Sequence, residues 1–413
     1  MNRDNQNMTA FLWHASLLAV TVTFTDINTV LPAMILGMGG SNFHLGILTG
    51  IMVGLPLAGQ LLFAGFLHTR NRKKPFLLSG IYLRVAALSL LTFFIAWNGF
   101  DKLSTLLAGI YAALVIFTLS GAFAGISYTS LVGKSFAGGL RRSFVLRKQA
   151  ISSTGILLSA LATRLIMGRT SNSYPLLFGL SAAALLLASG GFLFLHEETE
   201  AKPASKLTGR KILRLIPGYL KKDPTLARYV LVSNLLGFGT VLLPFYMALG
   251  KETYRFDGSM TGNLVLIQIG GMILGNFLWP RITKKRGFKG MLFLWSILGI
   301  ITPPAALLAS RHLPLEGFLP LFLLTGLYLG AQKLTSEAVV MEISNEENRA
   351  LYTGIIGSFN ISLALFPILA GSLIGKIGFS PIFLFAALSA FAARVLIQGM
   401  ICPIDRKGEE APR

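Results

Sequence analysis

The sequence predicts an all-α polytopic membrane protein whose twelve transmembrane helices form two pseudo-symmetric six-helix bundles. Three observations predict it. Hydrophobic residues make up 53% of the 413 and charged residues only 13%, about half the charged share of a soluble domain. The apolar residues fall in blocks of roughly twenty, enough for a helix to cross a ~30 Å hydrocarbon layer. The two halves of the chain also carry similar motifs at equivalent places. The same composition excludes disulfide scaffolds, collagen-like repeats and disorder, and the single cysteine, Cys402, cannot close an internal disulfide.

The blocks fall at 11–36, 43–67, 76–97, 104–130, 149–168, 175–195, 229–249, 260–279, 290–309, 317–340, 351–374 and 380–401. The first is too long for a signal-peptide core, no A-x-A site follows it, and Asp26 lies inside it. It reads as an uncleaved first span. Connections are short except at 131–148 and 196–228.

The net charge is +20. With the N-terminus inside, the cytoplasmic connections and tails hold 27 of the 37 Lys and Arg, the opposite connections 6, and the spans 4. That asymmetry puts both termini in the cytoplasm of an integral protein of the cell (inner) membrane. It also accounts for the basic charge without nucleic acid, because the cations are divided among loops with no aromatic platform between them.

The connection 196–228 begins His196-Glu197-Glu198 and ends Lys221-Lys222-Asp223-Pro224. Asp223 as N-cap and Pro224 at the first helical position suit the start of the seventh span. Between them, Arg210-Lys211-Ile212-Leu213-Arg214-Leu215-Ile216 forms a basic amphipathic pattern, suited to resting on anionic lipid head groups. The expected organisation is an N-terminal bundle over 1–195, a cytoplasmic linker over 196–228 and a C-terminal bundle over 229–413.

The halves answer each other. Thr29-Val30-Leu31-Pro32 corresponds to Val241-Leu242-Leu243-Pro244. Gly46, Gly54 and Gly59 correspond to Gly262, Gly270 and Gly275. Ser120-Gly121-x-Phe123-x-Gly125 corresponds to Thr325-Gly326-x-Tyr328-x-Gly330. Parallel six-span halves about an axis along the membrane normal build one large class of transporters.

Twelve spans as six plus six, both ends inside and a long central loop resemble the major facilitator superfamily. That family carries G-x-L-a-D-r-x-G-r-[RK] between spans 2 and 3, where this chain has Gly65-Phe66-Leu67-His68-Thr69-Arg70-Asn71-Arg72-Lys73-Lys74. Gly65, Leu67, Arg70, Lys73 and Lys74 fit. Thr69 replaces the family's Asp and Arg72 its Gly. A weaker second copy is Trp279-Pro280-Arg281-Ile282-Thr283-Lys284-Lys285-Arg286-Gly287. The resemblance implies a gating loop of Gly65, Arg70, Arg72, Lys73 and Lys74, whose cations bond carbonyls at helix C-termini. The alternative for the cations is a plain positive-inside signal.

Six ionisable residues lie within spans: Asp26, Arg84, Arg164, Lys333, Glu337 and Arg394. Each is costly in hydrocarbon and needs protein, water or a partner. The family's architecture implies that spans 1, 4, 7 and 10 line the cavity, 2, 5, 8 and 11 flank it, and 3, 6, 9 and 12 lie outside. Asp26 sits among Thr21, Thr23, Thr25, Asn28 and Thr29, a run that suits a wet cavity. A carboxyl group held away from bulk water is suited to binding and releasing a proton near neutral pH, or to contacting a cation. Its alternative is an ion pair locking two helices. Gly326, Gly330, Lys333 and Glu337 share one helical face, and Lys333 and Glu337 can pair at i, i+4. Arg164 either meets Asp26 or an anionic solute, or snorkels to the outer interface. Arg84 and Arg394 read as structural. Asn234, Gln268, Asn360 and Tyr128 complete the candidate binding set, with Phe245 and Tyr246 as further aromatics.

No Walker sequence, G-x-S-x-G or His-Glu-x-x-His occurs, and the histidines do not cluster. Neither enzymatic activity, metal nor cofactor is expected. Span 5 lacks the g-x-x-x-G-P-x-x-G-G pattern of the family's drug–proton antiporters. The expectation is secondary active transport by alternating access, with the two halves rocking about a site near the midplane. The energy is expected to come from an ion gradient, foremost that of protons, or from the solute's own gradient. The in-span balance of four cations and two acids favours an anionic or zwitterionic small solute. The alternatives are efflux of apolar or cationic compounds and a non-transporting sensor or assembly factor on the same fold. The expected partners are the solute, protons and membrane lipids, with no nucleic acid, and the expected state is a monomer.

Overall fold

The computed structural model describes residues 3–68, 70–97, 102–136, 138–169, 173–197, 209–344 and 349–400. Thr69, residues 198–208 of the linker and the tail from 401 lie outside the described residues, as do the side chains of Glu337, of 210–215 and of 283–286. The surroundings of Gly65 lie outside them too.

All regular structure among the described residues is helical. The first span is two helices, α1 (Arg3–Phe24) and α2 (Val30–Gly37), separated by a break over 25–29. The second is α3 (Asn42–Thr49), a π-turn at Gly50–Gly54 and α4 (Leu55–His68). Then follow α5 (Lys74–Ala96), α6 (Leu103–Ser135), α7 (Gly138–Arg169) and α8 (Tyr174–Leu193). The amphipathic stretch of the linker is α9 (Gly209–Lys222). The seventh span is α10 (Pro224–Val241) and α11 (Leu243–Tyr254). The Asp223 carboxylate accepts from the Thr225 and Leu226 amides at 2.9 and 3.1 Å, which caps α10.

Spans eight and nine run together as α12 (Gly258–His312), broken at Gly287. Gly287 has φ 58° and Gly378, between α16 and α17, has φ 78°, a backbone region glycine adopts without steric cost. The short α13 (Leu315–Phe318) leads into α14 (Pro320–Ile343). The eleventh span is α15 (Arg349–Phe359) and α16 (Ile361–Ile377), and the twelfth is α17 (Phe379–Gln398).

Eleven helical stretches among the described residues are long and apolar enough to cross a membrane. The remaining expected span, the second, contributes a shorter apolar stretch, Asn42–Leu57. The outward surface suits hydrocarbon, for Leu146, Phe194 and Leu388 are all at least 64% exposed. This is an integral membrane protein of the all-α fold its sequence predicts.

One expectation changes. The connection 131–148 is not an extended loop, because α6 continues to Ser135 and α7 begins at Gly138. Its basic residues are good helix formers, so the spans on either side simply grow past their apolar ends.

The chain divides into two compact units. The first holds Met1–Gly40, Ile51–Gly209 and Asp257–Leu266, and the second Ser41–Gly50, Arg210–Phe256 and Ile267–Arg413. The opening of the second span therefore belongs to the second unit, and the opening of the eighth to the first. In the first unit α1 packs on α7 and α8, α5 on α6 and α8, and α4 on α6. Phe11 is its aromatic centre, with ring centroids of Tyr128, Phe136, Phe144 and Phe192 at 5.2–5.6 Å. In the second unit α3 lies along α16, and α10 packs on α14, α16 and α17.

The repeated glycines mark crossing points. A methyl group at Gly46 would strike the Pro367 carbonyl of α16. At Gly262, its counterpart, it would come within 2.6 Å of the Arg164 Cα of α7. Small residues let helices approach where lipid offers no hydrophobic drive to associate.

Candidate functional site

Several spans that the family resemblance places along or beside the cavity are discontinuous. The breaks fall at 25–29, at Leu242 and at Asn360. The first two precede Pro32 and Pro244, each near the start of the following helix, where a missing amide costs nothing. Helix breaks free backbone groups and gather polar side chains at membrane depth, where only protein or enclosed water can satisfy them.

In the first unit the break is organised by Asp26, which is half-buried. Its Oδ1 accepts from the Asn28 amide at 3.0 Å and from the Thr29 hydroxyl at 2.6 Å. The carboxylate thus caps the turn into α2. Asn28 is buried beside it. The threonines do not form the wet run the sequence suggests. Thr21, Thr23 and Thr25 are buried. Thr23 and Thr25 donate to the carbonyls of Ala19 and Thr21 at 2.9 and 2.7 Å, and Thr21 donates to the Ser181 carbonyl of α8 at 3.2 Å. Hydroxyls four residues after a carbonyl satisfy themselves on their own helix. Arg164 is exposed on α7, where its backbone rather than its head group meets Gly262.

A second set lies in the second unit. Asn234 on α10 donates to the Val230 carbonyl at 2.9 Å and accepts from the Ser362 hydroxyl of α16 at 2.5 Å. Asn360, at the break between α15 and α16, has a buried Oδ1 without a partner. Gln268 is buried, with its Oε1 3.5 Å from the Thr325 hydroxyl of α14. The Tyr328 hydroxyl donates to the Leu236 carbonyl at 2.9 Å. Phe245 and Tyr246 are buried in packing. Lys333 is exposed on α14. Gly326 on the same helix is closed against α12, since a methyl there would strike the Gln268 carbonyl.

Arg84 and Arg394 take aromatic seats, the first over Phe117 at 4.4 Å and the second over Phe293 at 3.9 Å. Around Arg84 the structure gathers residues the sequence did not bring together. His14 on α1 is 5% exposed, and its ring lies 5.9 Å from that of Tyr128 on α6. The Lys148 ammonium of α7 stands 4.9 Å over the Tyr128 ring. His14 Nδ1, Arg84 Nε and the Tyr128 hydroxyl are buried without partners.

The loop between α4 and α5 is tied down within the first unit. The Glu197 carboxylate, just beyond α8, accepts from the Lys73 amide at 2.5 Å and the Lys74 amide at 2.8 Å. Lys134 at the end of α6 donates to the same carboxylate at 3.2 Å. Lys73 is buried and its ammonium donates to the carbonyls of Leu67 and Arg70, where α4 ends. Lys74 donates to the Leu193 and Leu195 carbonyls at 2.7 and 3.0 Å. Arg70 is exposed, its guanidinium 4.5 Å over the Phe66 ring, and Arg72 is exposed. No group of His, Cys, Asp and Glu among the described residues could hold a metal ion.

Comparison with known proteins agrees with this architecture. The sequence model of the Major Facilitator Superfamily matches residues 12–310 and 245–413. No curated protein matches the sequence. A mutant of the nucleoside transporter NupG has a similar fold, with a TM-score of 0.73 at 12% identity over 97% of this chain and 100% of that one. A POT family transporter in complex with 5-aminolevulinic acid has a TM-score of 0.66 at 11% identity over 96% and 94% of the two chains. The human organic anion transporter MFSD10 (TETRAN) has 0.63 at 16% identity over 96% and 100%.

Proposed function

The chain belongs to the major facilitator superfamily, and we propose that it carries a small anionic solute across the cell membrane by alternating access, drawing on a proton gradient. Both termini lie in the cytoplasm in this reading, and the protein works as a monomer without a cofactor. The observation that carries it is the discontinuity of the first and seventh spans at repeat-equivalent prolines, with Asp26 inside the first break. Broken helices place polar groups and helix ends at membrane depth, which is how many secondary transporters hold solute and coupling ion.

Asp26 is the proton carrier of this scheme. As a carboxylate it accepts charge-assisted hydrogen bonds, roughly twice as strong as neutral ones. A proton weakens its hold on Asn28 and Thr29, so proton binding changes how firmly α2 is tied to α1. The surplus of Arg84, Arg164, Lys333 and Arg394 over the in-span acids favours negative solutes. Asn234, Gln268 and Asn360 offer neutral hydrogen-bonding groups for the rest of the molecule.

Proteoliposomes test the reading. With an imposed pH gradient, labelled organic anions are expected to accumulate, and a protonophore to abolish the accumulation. Uptake confined to cationic or apolar compounds, or none of any class, would overturn it.

A further inference from the structure

Gly121, Gly125 and Tyr128 follow one another at steps of four and three, on a single face of α6. The face is crowded at one end and open in the middle. A methyl group at Gly121 would lie 3.3 Å from Arg84 Nε, whereas at Gly125 it would meet nothing within 4 Å. Tyr128, with His14 and Lys148 beside it, stands one turn beyond the open point. From Gly121 to Tyr128 the helix rises about 10 Å.

Three polar atoms bound this stretch without partners: Arg84 Nε, the Tyr128 hydroxyl and His14 Nδ1. Buried polar atoms are normally satisfied, and orphans in one place call for a group that satisfies them. Two cations, Arg84 and Lys148, stand near His14. Arg84 takes part in no ion pair among the described residues, and its guanidinium rests on the Phe117 ring. A guanidinium and a phenol donate, while the His14 ring, already bonded to the Ala188 backbone, lines the stretch. Donors and positive charge suit an oxyanion.

We propose that the open face at Gly125, bounded by Arg84, Tyr128, His14 and Lys148, is the subsite that takes the carboxylate or phosphate group of the transported solute. The assignment rests on the anionic-solute reading and places the anion within the first unit. It gives Arg84, expected from sequence to be structural, a direct contact with the ligand.

The test uses the purified full chain in lipid-free detergent, with succinate and inorganic phosphate as probes and the unfolding temperature as readout. At least one probe is expected to stabilise the wild type. Gly125→Leu fills the open space, and Tyr128→Phe removes only the hydroxyl. Both are expected to keep the wild-type unfolding temperature without anion and to lose the anion-induced rise. Arg84→Gln should weaken binding about ten- to a hundredfold. Lys376→Gln, an exposed change at the end of α16, should leave it unaltered. Equal stabilisation of wild type, Gly125→Leu and Tyr128→Phe would overturn the subsite while leaving the anionic reading intact. Failure of both probes to bind the wild type would overturn that reading and the subsite with it. Displacement of the probe by phosphatidylglycerol, but not by phosphatidylcholine, would assign the site to a lipid head group and overturn its assignment to the solute.

Discussion

Asp26→Asn is expected to abolish uphill accumulation of solute while preserving exchange of solute across the same vesicles. The amide of Asn keeps an oxygen for the Asn28 amide and the Thr29 hydroxyl, the two bonds that shape the break before α2. It cannot bind and release a proton. A two-unit pH gradient can sustain about a 100-fold solute gradient at one proton per solute, since each tenfold step is worth about 1.4 kcal/mol. The variant should fall to equal concentrations on both sides. The measurement is accumulation of labelled solute with and without the gradient, beside counterflow in its absence. Retained pH-driven accumulation in the Asn variant would remove Asp26 from the coupling scheme.

Glu197→Ala is expected to be the most damaging single change outside the spans. It leaves the Lys73 and Lys74 amides at the start of α5 without their acceptor and takes the counter-charge from Lys134. The Glu197 side chain is 4% exposed, so water replaces little of what is lost. Breaking a buried pair by removing one partner costs about 3–5 kcal/mol. Glu197→Gln keeps an acceptor for one amide and should cost about 1–2 kcal/mol, mainly the charge-assisted part of the bonds. Thermal unfolding in detergent orders the three proteins. Equal stability of Glu197→Ala and wild type would mean that the loop is held by the Lys73 and Lys74 ammonium groups and their carbonyls without Glu197.

The fold was legible because its signals are local and repeated. Apolar blocks of span length and the recurring prolines and glycines each leave a mark in the sequence. The Pro32 and Pro244 motifs coincide with the breaks in the first and seventh spans. What was not legible depends on convergence in space. A lone histidine in an apolar span has no period, and nothing in the sequence brings His14 of α1, Arg84 of α5, Tyr128 of α6 and Lys148 of α7 to one place. Glu197 stood in plain view at the start of the linker, but its link to Lys73 spans more than a hundred residues. An acid just past one span, on the expected side of a basic loop, was the available clue. The threonines near Asp26 misled for a different reason. Polarity along a sequence does not say whether a hydroxyl faces water or the carbonyl four residues back, and here Thr23 and Thr25 do the latter.

The central claim, transport of an anionic solute by alternating access, is tested most directly by trans-stimulation in proteoliposomes. Vesicles are preloaded with an unlabelled anion, and entry of the same labelled anion is timed with no ion gradient present. A carrier that exposes its site to one side at a time returns faster when loaded, so preloading should accelerate entry of the label. Flux that ignores the contents of the vesicle, or that passes as a steady conductance, would contradict the account.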